Sequence, residues 1–175
     1  LFLGHGDFSR TSEDLLQQLL QIAAQGIHVH LFNYKDDSRQ SEYLHGFSYH
    51  KFETGELATF ASQFDATLVT YDRSLPLNSP ATFENSPPNR FTAGIATAIP
   101  IVMPTGILPT FEKFLSKHQL GLCYANAEDL KTKLLDIDFM KELRTRIHEN
   151  QEQFSYEKHW ATLEGFLKEV LEQRK

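Results

Sequence analysis

Apolar stretches of two kinds alternate along the chain, and they define the predicted elements. Short continuous runs such as Ile101-Val102-Met103 are typical of buried parallel strands. Between these runs, apolar residues recur every three or four positions, which is the spacing of one helix face. The pattern predicts strands at residues 1–3, 27–32, 47–49, 66–71, 101–103 and 120–124.

Capping residues and glycines mark the expected helix ends. Thr11 or Ser12 caps the first helix, which Gly26 stops, and residues 4–6 form a flexible turn before it. From Phe139 onward the sequence is helical, with a break near Phe154-Ser155. The four helices between these segments have the predicted caps Thr54, Asn89, Thr110 and Asn126.

Strands alternate with helices through most of the sequence, which predicts an α/β fold with a mainly parallel sheet and a C-terminal helical tail. The chain opens on a strand-like Leu-Phe-Leu-Gly and has no initiator Met. We therefore expect it to be a C-terminal domain cut from a longer protein.

Net charge, cysteine content and the length of apolar runs limit the partners and the cellular compartment that we expect for this chain. A net charge of -6 over 175 residues argues against a nucleic acid held by bulk electrostatics. The single cysteine, Cys123, excludes an intrachain disulfide and fits a reducing, cytoplasmic location. No apolar run has the length of a bilayer span, so membrane association is expected only through parts outside this chain.

The candidate chemistry concentrates between residues 72 and 104. A long loop rich in Ser, Asn and Pro leads to the helix after Pro88, and a buried strand follows at once. Open α/β sheets build anion sites in this way, although the same pattern also fits a helix–strand unit without a ligand.

His28 and His30 share one strand face and suggest either a metal pair or structural histidines, of which we favour the second. Cys123, inside a strand, is expected to be a buried inert thiol.

Four segments, in order along nearly the whole chain, carry a family resemblance. They are the opening strand with Arg10, residues 49–71 with Glu56-Leu57 and Phe64-Asp65-Ala66, residues 88–102 with Pro88-Asn89-Arg90-Phe91 and Pro100-Ile101-Val102, and Phe154-Ser155-Tyr156. Together they resemble the C-terminal, donor-binding half of GT-B-fold glycosyltransferases, the retaining nucleotide-sugar enzymes. The resemblance implies an α/β, Rossmann-like open parallel sheet flanked by helices over residues 1–138. Residues 139–175 would be a helical extension that packs on this domain or on a missing N-terminal domain.

The resemblance also implies a donor site at the carboxyl ends of the strands. His5 stands where the family often has a diphosphate-binding arginine, and Arg10 stands near its diphosphate-binding lysine. Arg90 occupies the place of a family lysine beside a helix N-terminus, where it either faces phosphate or extends to solvent. Residues that end strands either line the crevice or are solvated. The implied donor-binding set is Gly4, His5, Gly6, Arg10, Asn33, Lys51, Tyr71, Glu84, Asn89 and Arg90.

One departure from the family pattern concerns its two glutamates, whose positions here fall on Asn85 and Ala93. Because the alanine side chain cannot accept a hydrogen bond from a ribose hydroxyl, either another side chain such as Glu84 takes that role or donor binding is lost.

The expected substrate is a nucleotide-diphosphate sugar, with no cofactor and no required metal, and the fragment alone is expected to be inactive. The alternative is a degenerate, non-catalytic domain that serves packing or protein-partner binding. A phospho-receiver is disfavoured because Asp7 alone does not supply its acidic set.

Overall fold

The computed structural model describes residues 2–5, 13–32, 41–47, 55–71 and 88–172, and it confirms the α/β class. The strands are β1 (Phe2–His5), β2 (Val29–Phe32), β3 (Leu44–Phe47), β4 (Thr67–Leu68), β5 (Ile101–Pro104) and β6 (Gly121–Tyr124). The helices are α1 (Glu13–Ala23), α2 (Glu56–Ala61), α3 (Asn89–Ala96), α4 (Pro109–His118), α5 (Ala127–Leu134), α6 (Ile137–Asn150), a 3₁₀ helix (Gln151–Phe154) and α7 (Tyr156–Glu172).

The strand order is that of a Rossmann-like fold. Two parallel three-stranded sheets have the orders β1-β2-β3 and β4-β5-β6. Because β1 lies beside β4, the order across the molecule is β3-β2-β1-β4-β5-β6. In an open parallel sheet of this order the chain changes direction between β1 and β4, and ligands bind at the carboxyl ends of the strands beside that switch point.

Three predicted strands need correction, and the plainest case is β4, which covers only Thr67–Leu68 of the predicted residues 66–71. Gly4 and His5 belong to β1 rather than to a turn, because the backbone continues in parallel pairing until His5 meets Phe32. The register between β1 and β2 shifts between Phe2 and His5, which is where we expected the strand to end. β3 begins at Leu44, earlier than predicted, because buried Leu44 pairs with Val29, and residues 48–49 lie outside the described residues.

Two apolar clusters cover opposite faces of the sheet. Alternate residues of β5 divide between them, since Val102 belongs to one cluster and Ile101 and Met103 belong to the other. Burial of each large aliphatic side chain contributes about 1.5–3 kcal/mol. On one face α1 and α5 supply Leu15, Leu19, Ile22, Ala23 and Leu130, and on the other α3, α4 and α6 supply Phe91, Phe111, Leu115, Leu143 and Ile147.

Helix α3 lies close against the sheet because of one glycine. A Cβ on Gly94 would lie 2.7 Å from side-chain atoms of both Thr67 and Ile101. Gly94 is buried in this contact, whereas Ala96, two positions later, is exposed. The helix ends at Ala96, and Ala98, two residues later, adopts a left-handed φ of 54°.

The predicted caps are partly correct. Asn126 caps α5, since its side chain accepts a 3.0 Å hydrogen bond from the Asp129 amide. Asn89, by contrast, is the first residue of α3, and Pro88 precedes it without a side-chain cap. Proline suits such a position because the helix start leaves amide donors unpaired anyway. Gly55 occupies the cap position of α2, Leu108 occupies that of α4, and Thr11, Ser12 and Thr54 lie outside the described residues.

The C-terminal helices differ in how they pack. Leu143 and Ile147 of α6 are buried in the core, whereas α7 has no buried residue. The 3₁₀ turn before Tyr156 confirms the predicted break, while the domain division after residue 138 stays a prediction. Within the described ranges, no helix combines the length and the apolarity that crossing a bilayer requires.

Candidate functional site

Arg90 is anchored where β4 gives way to the following loop. Its Nη1 donates a 2.6 Å hydrogen bond to the carbonyl oxygen of Thr70. Its Cζ lies 5.1 Å from the centroid of the Tyr71 ring, within the range of a cation–π contact. The two contacts hold a guanidinium beside the first turn of α3, at the carboxyl end of β4.

Burial changes the proton affinities of both partners. It lowers the pKa of Arg90, an effect that Tyr71 opposes, and it raises the pKa of Tyr71, an effect that Arg90 opposes. Because an arginine side chain stays protonated in proteins, this edge carries a fixed positive charge beside a neutral phenol at neutral pH.

A hydrogen-bonded network ties α1 to the same strand end. The buried Thr70 hydroxyl donates to Gln18 Oε1 at 2.7 Å, and Gln18 Nε2 donates to the Tyr71 carbonyl at 3.3 Å. The same Nε2 donates to Asp14 Oδ2 at 2.8 Å. Because Gln18 uses both ends of its amide, it fixes the strand end that presents the Arg90–Tyr71 pair.

A polar cavity of about 250 Å³ lies next to this network. One wall is the amide-rich side of α1, and the other is the carboxyl end of β5 and β6 together with the start of α5. Its mixture of amide, carboxylate and backbone groups suits a hydrogen-bonding ligand better than an apolar one. The residues that line the cavity include Asp14, Gln17, Gln18, Gln21, Pro104, Tyr124 and Asn126.

A second cavity, of about 770 Å³, has the opposite character. It is lined mainly by Phe91, Phe111, Phe114 and Phe154, between α3, α4 and the 3₁₀ turn. The amide of Gln151 at its rim donates to the carbonyl oxygens of Ile95 and Ala96, at the end of α3. An aromatic wall of this kind offers little to an anion.

The structure unites only some of the predicted donor-binding residues. Tyr71 and Arg90 are in contact, and Gly4 and His5 lie at the end of β1, the strand beside β4. Asn89 is exposed at the first position of α3. The predicted positions Gly6, Arg10, Asn33, Lys51 and Glu84 lie outside the described residues.

Sequence reasoning missed the support for this edge. Gln18 and Thr70 are 52 positions apart, and their contact is invisible in either segment alone. Two weak signals were present. Asp14 and Gln18 stand four residues apart at the start of the helix after β1, and Thr70 is a polar residue that ends an apolar strand.

Candidate metal ligands and the thiol give a plainer result. Across the part of the chain that the structure describes, no three His, Cys, Asp or Glu side chains are placed to hold a metal ion. Cys123 lies in β6 and is partly buried. Burial, with a smaller effect of Glu112, raises the pKa of the Cys123 thiol to about 11 against the opposing effect of Lys133. The protonated thiol at neutral pH is a poor nucleophile.

Comparisons with known proteins do not assign this site. No model of a known protein family matches the sequence. The curated proteins likewise contain no similar sequence.

Proposed function

We propose that the carboxyl edge between β1 and β4 binds the diphosphate of a nucleotide. The chain would then be the nucleotide-sugar-binding half of a glycosyltransferase that transfers a sugar from a nucleotide-diphosphate donor to an acceptor. One observation carries the proposal: a Rossmann-like strand order brings an anchored arginine to the switch point, beside the first turn of α3.

The anchoring of Arg90 favours a binding role over a solvent-facing one. Its contact with Thr70 and Tyr71 restricts the side chain before any ligand arrives, which lowers the entropic cost of binding. Because the chain carries a net charge of -6, long-range attraction of an anion is weak and a local cation must supply it. In glycosyl transfer, a fixed cation would stabilise the charge that develops on the departing diphosphate.

Calorimetric titration of the chain with uridine and guanosine diphosphates tests the proposal. We expect binding of at least one of them, and Arg90→Met should weaken it at least about tenfold, because a charge-assisted contact is lost. Arg146→Met is the matched control, since Arg146 is a partly exposed arginine of α6 that pairs with Glu142. Folding of each variant is checked by circular dichroism. If neither nucleotide gives a heat of binding at millimolar concentration, the proposal is wrong.

The alternative, a degenerate domain that binds a protein partner or packs within a larger protein, is favoured by the C-terminal helix. Trp160, Phe166 and Leu171 of α7 are all exposed, and Ala93 occupies the position of a family glutamate. This alternative predicts no nucleotide affinity in the intact protein, together with burial of the α7 face by another domain or partner. We also propose a cytoplasmic location, on the evidence of the single thiol.

A further inference from the structure

Three imidazoles meet on one face of the β2–β3 ladder, away from the proposed nucleotide edge. His28 precedes β2, His30 lies within it, and His45 of β3 is the register partner of His30. We call His28, His30 and His45 the histidine cluster. Because strand residues alternate, the cluster lies on the face opposite the buried Val29 and Leu31.

Contacts within the cluster are close and aromatic. His28 Nδ1 lies 2.7 Å from His45 Nε2, a hydrogen-bonding distance. The His45 ring stacks on both neighbours, with centroids 5.0 Å from His28 and 4.6 Å from His30. Phe64, which follows α2, meets the His30 ring edge-on at 4.9 Å, so the cluster joins β2, β3 and the end of α2.

This geometry depends on protonation. A bond between His28 Nδ1 and His45 Nε2 needs one donor and one acceptor, so the two rings cannot both be imidazolium. Burial, followed by the charges of His45, the amino terminus and His28, lowers the pKa of His30 to about 4. His30 therefore resists protonation while the chain is folded.

Other charged and titratable groups among the described residues also lie around the cluster. Tyr43 contacts the His28 ring, and Asp65 lines the same cavity as His28 and His30. From α6, Arg144 donates a hydrogen bond to the Phe64 carbonyl and adds positive charge nearby. Among the described residues, Asp65 thus brings negative charge and Arg144 positive charge close to the three imidazoles.

We propose that the histidine cluster is an acid-sensitive latch: neutral imidazoles hold β3 and the end of α2 on β2, and protonation releases them while β4–β6 stay folded. β3 is the vulnerable strand, because within the described residues it pairs with β2 alone. The sign follows from the lowered pKa of His30. Between about pH 6.5 and pH 4 the His30 imidazole is more protonated in the unfolded chain than in the folded one, so its contribution to stability is lost as the pH falls through that window.

Hydrogen exchange at pH 7 and at about pH 5, corrected for the intrinsic rates, tests the latch. Protection of the β3 amides should fall about tenfold or more at the lower pH, whereas protection of β5 should persist. In His30→Leu the loss in β3 should shrink, because an apolar side chain still packs against Phe64 without titrating. His148→Gln is the control, since His148 is an exposed histidine on α6.

Titration of the imidazole signals by NMR in the unmodified chain keeps the proposal falsifiable if His30→Leu does not fold. The latch requires His30 to titrate well below the ordinary histidine range of about 6.5. A midpoint at the ordinary value overturns it. So does a loss of β3 protection that is equal in His30→Leu and His148→Gln, or no loss at all.

Discussion

The two halves of the sheet are built differently. The strands of the β4–β6 half contribute buried residues to both apolar clusters, one shared with α1 and α5 and the other with α3, α4 and α6. The β1–β3 half ends in an edge strand, and a histidine cluster covers one of its faces. Arg90, the cation that we propose binds the diphosphate, belongs to the first half and carries a permanent charge. The second half instead carries imidazoles, a type of side chain whose charge depends on pH. A well-packed half that holds a permanent charge suits binding, whereas a half whose charge changes with pH suits regulation.

The largest expected effect is a loss of stability in the β4–β6 half. A Cβ at Gly121 would lie 1.9 Å from the backbone oxygen of Ile101, and no side-chain rotation can relieve that overlap. We expect Gly121→Ala to lower the free energy of unfolding by about 3 kcal/mol or more, because two paired strands must separate. Urea unfolding followed by circular dichroism measures it.

Gly165→Ala is the matched control for this substitution. Gly165 lies in α7, and a Cβ there meets no atom within 4 Å. Alanine favours a helix over glycine by up to about 1 kcal/mol, so the control should be neutral or stabilising. Equal unfolding midpoints for the two variants would show that β5 and β6 are not as closely packed as described.

An intermediate effect sharpens the role of the fixed charge. Tyr71→Leu removes the ring under Arg90, whereas Tyr71→Phe keeps the ring and removes only the hydroxyl. For a partly desolvated pair we expect Tyr71→Leu to cost about 1–2 kcal/mol of stability, and Tyr71→Phe to cost clearly less. Thermal unfolding of both variants provides the comparison. If the phenylalanine variant loses as much as the leucine variant, the hydroxyl rather than the ring face supports this edge.

The smallest effect concerns α5, which packs on β6. α5 packs against α1, and Asn126 caps it by accepting a hydrogen bond from the Asp129 amide. Asn126→Ala should cost about 1 kcal/mol, since one amide at the helix start loses its acceptor. Asn126→Asp keeps an acceptor and should stay near the native value in urea unfolding. Similar losses in both variants would argue against the cap.

The sequence predicts elements well where local chemistry decides them. The run Ile101-Val102-Met103 has no competing interpretation, and Asn126 before a helix acts as its type suggests. The sequence-based prediction fails where contacts between distant segments determine the structure. Leu44 joins a strand because Val29 lies opposite, and local propensity around Phe47 does not reveal that pairing.

The site divides in the same way. Arg90 is identifiable from its place after Pro88, but its anchoring to Thr70 and the brace from Gln18 require the folded sheet. The histidine cluster shows the limit of reasoning from one strand. His28 and His30 are visible as a pair, whereas the third ring, His45, comes from a neighbouring strand in exact register.

Trp160 is the only tryptophan of the chain, and it lies on the exposed side of α7 with 45% of its surface accessible. Its fluorescence therefore reports on the last helix and is nearly blind to the sheet. Unfolding followed by tryptophan emission would miss changes in the core of the sheet. A blue shift of that emission on mixing with a binding partner would signal that the partner covers α7.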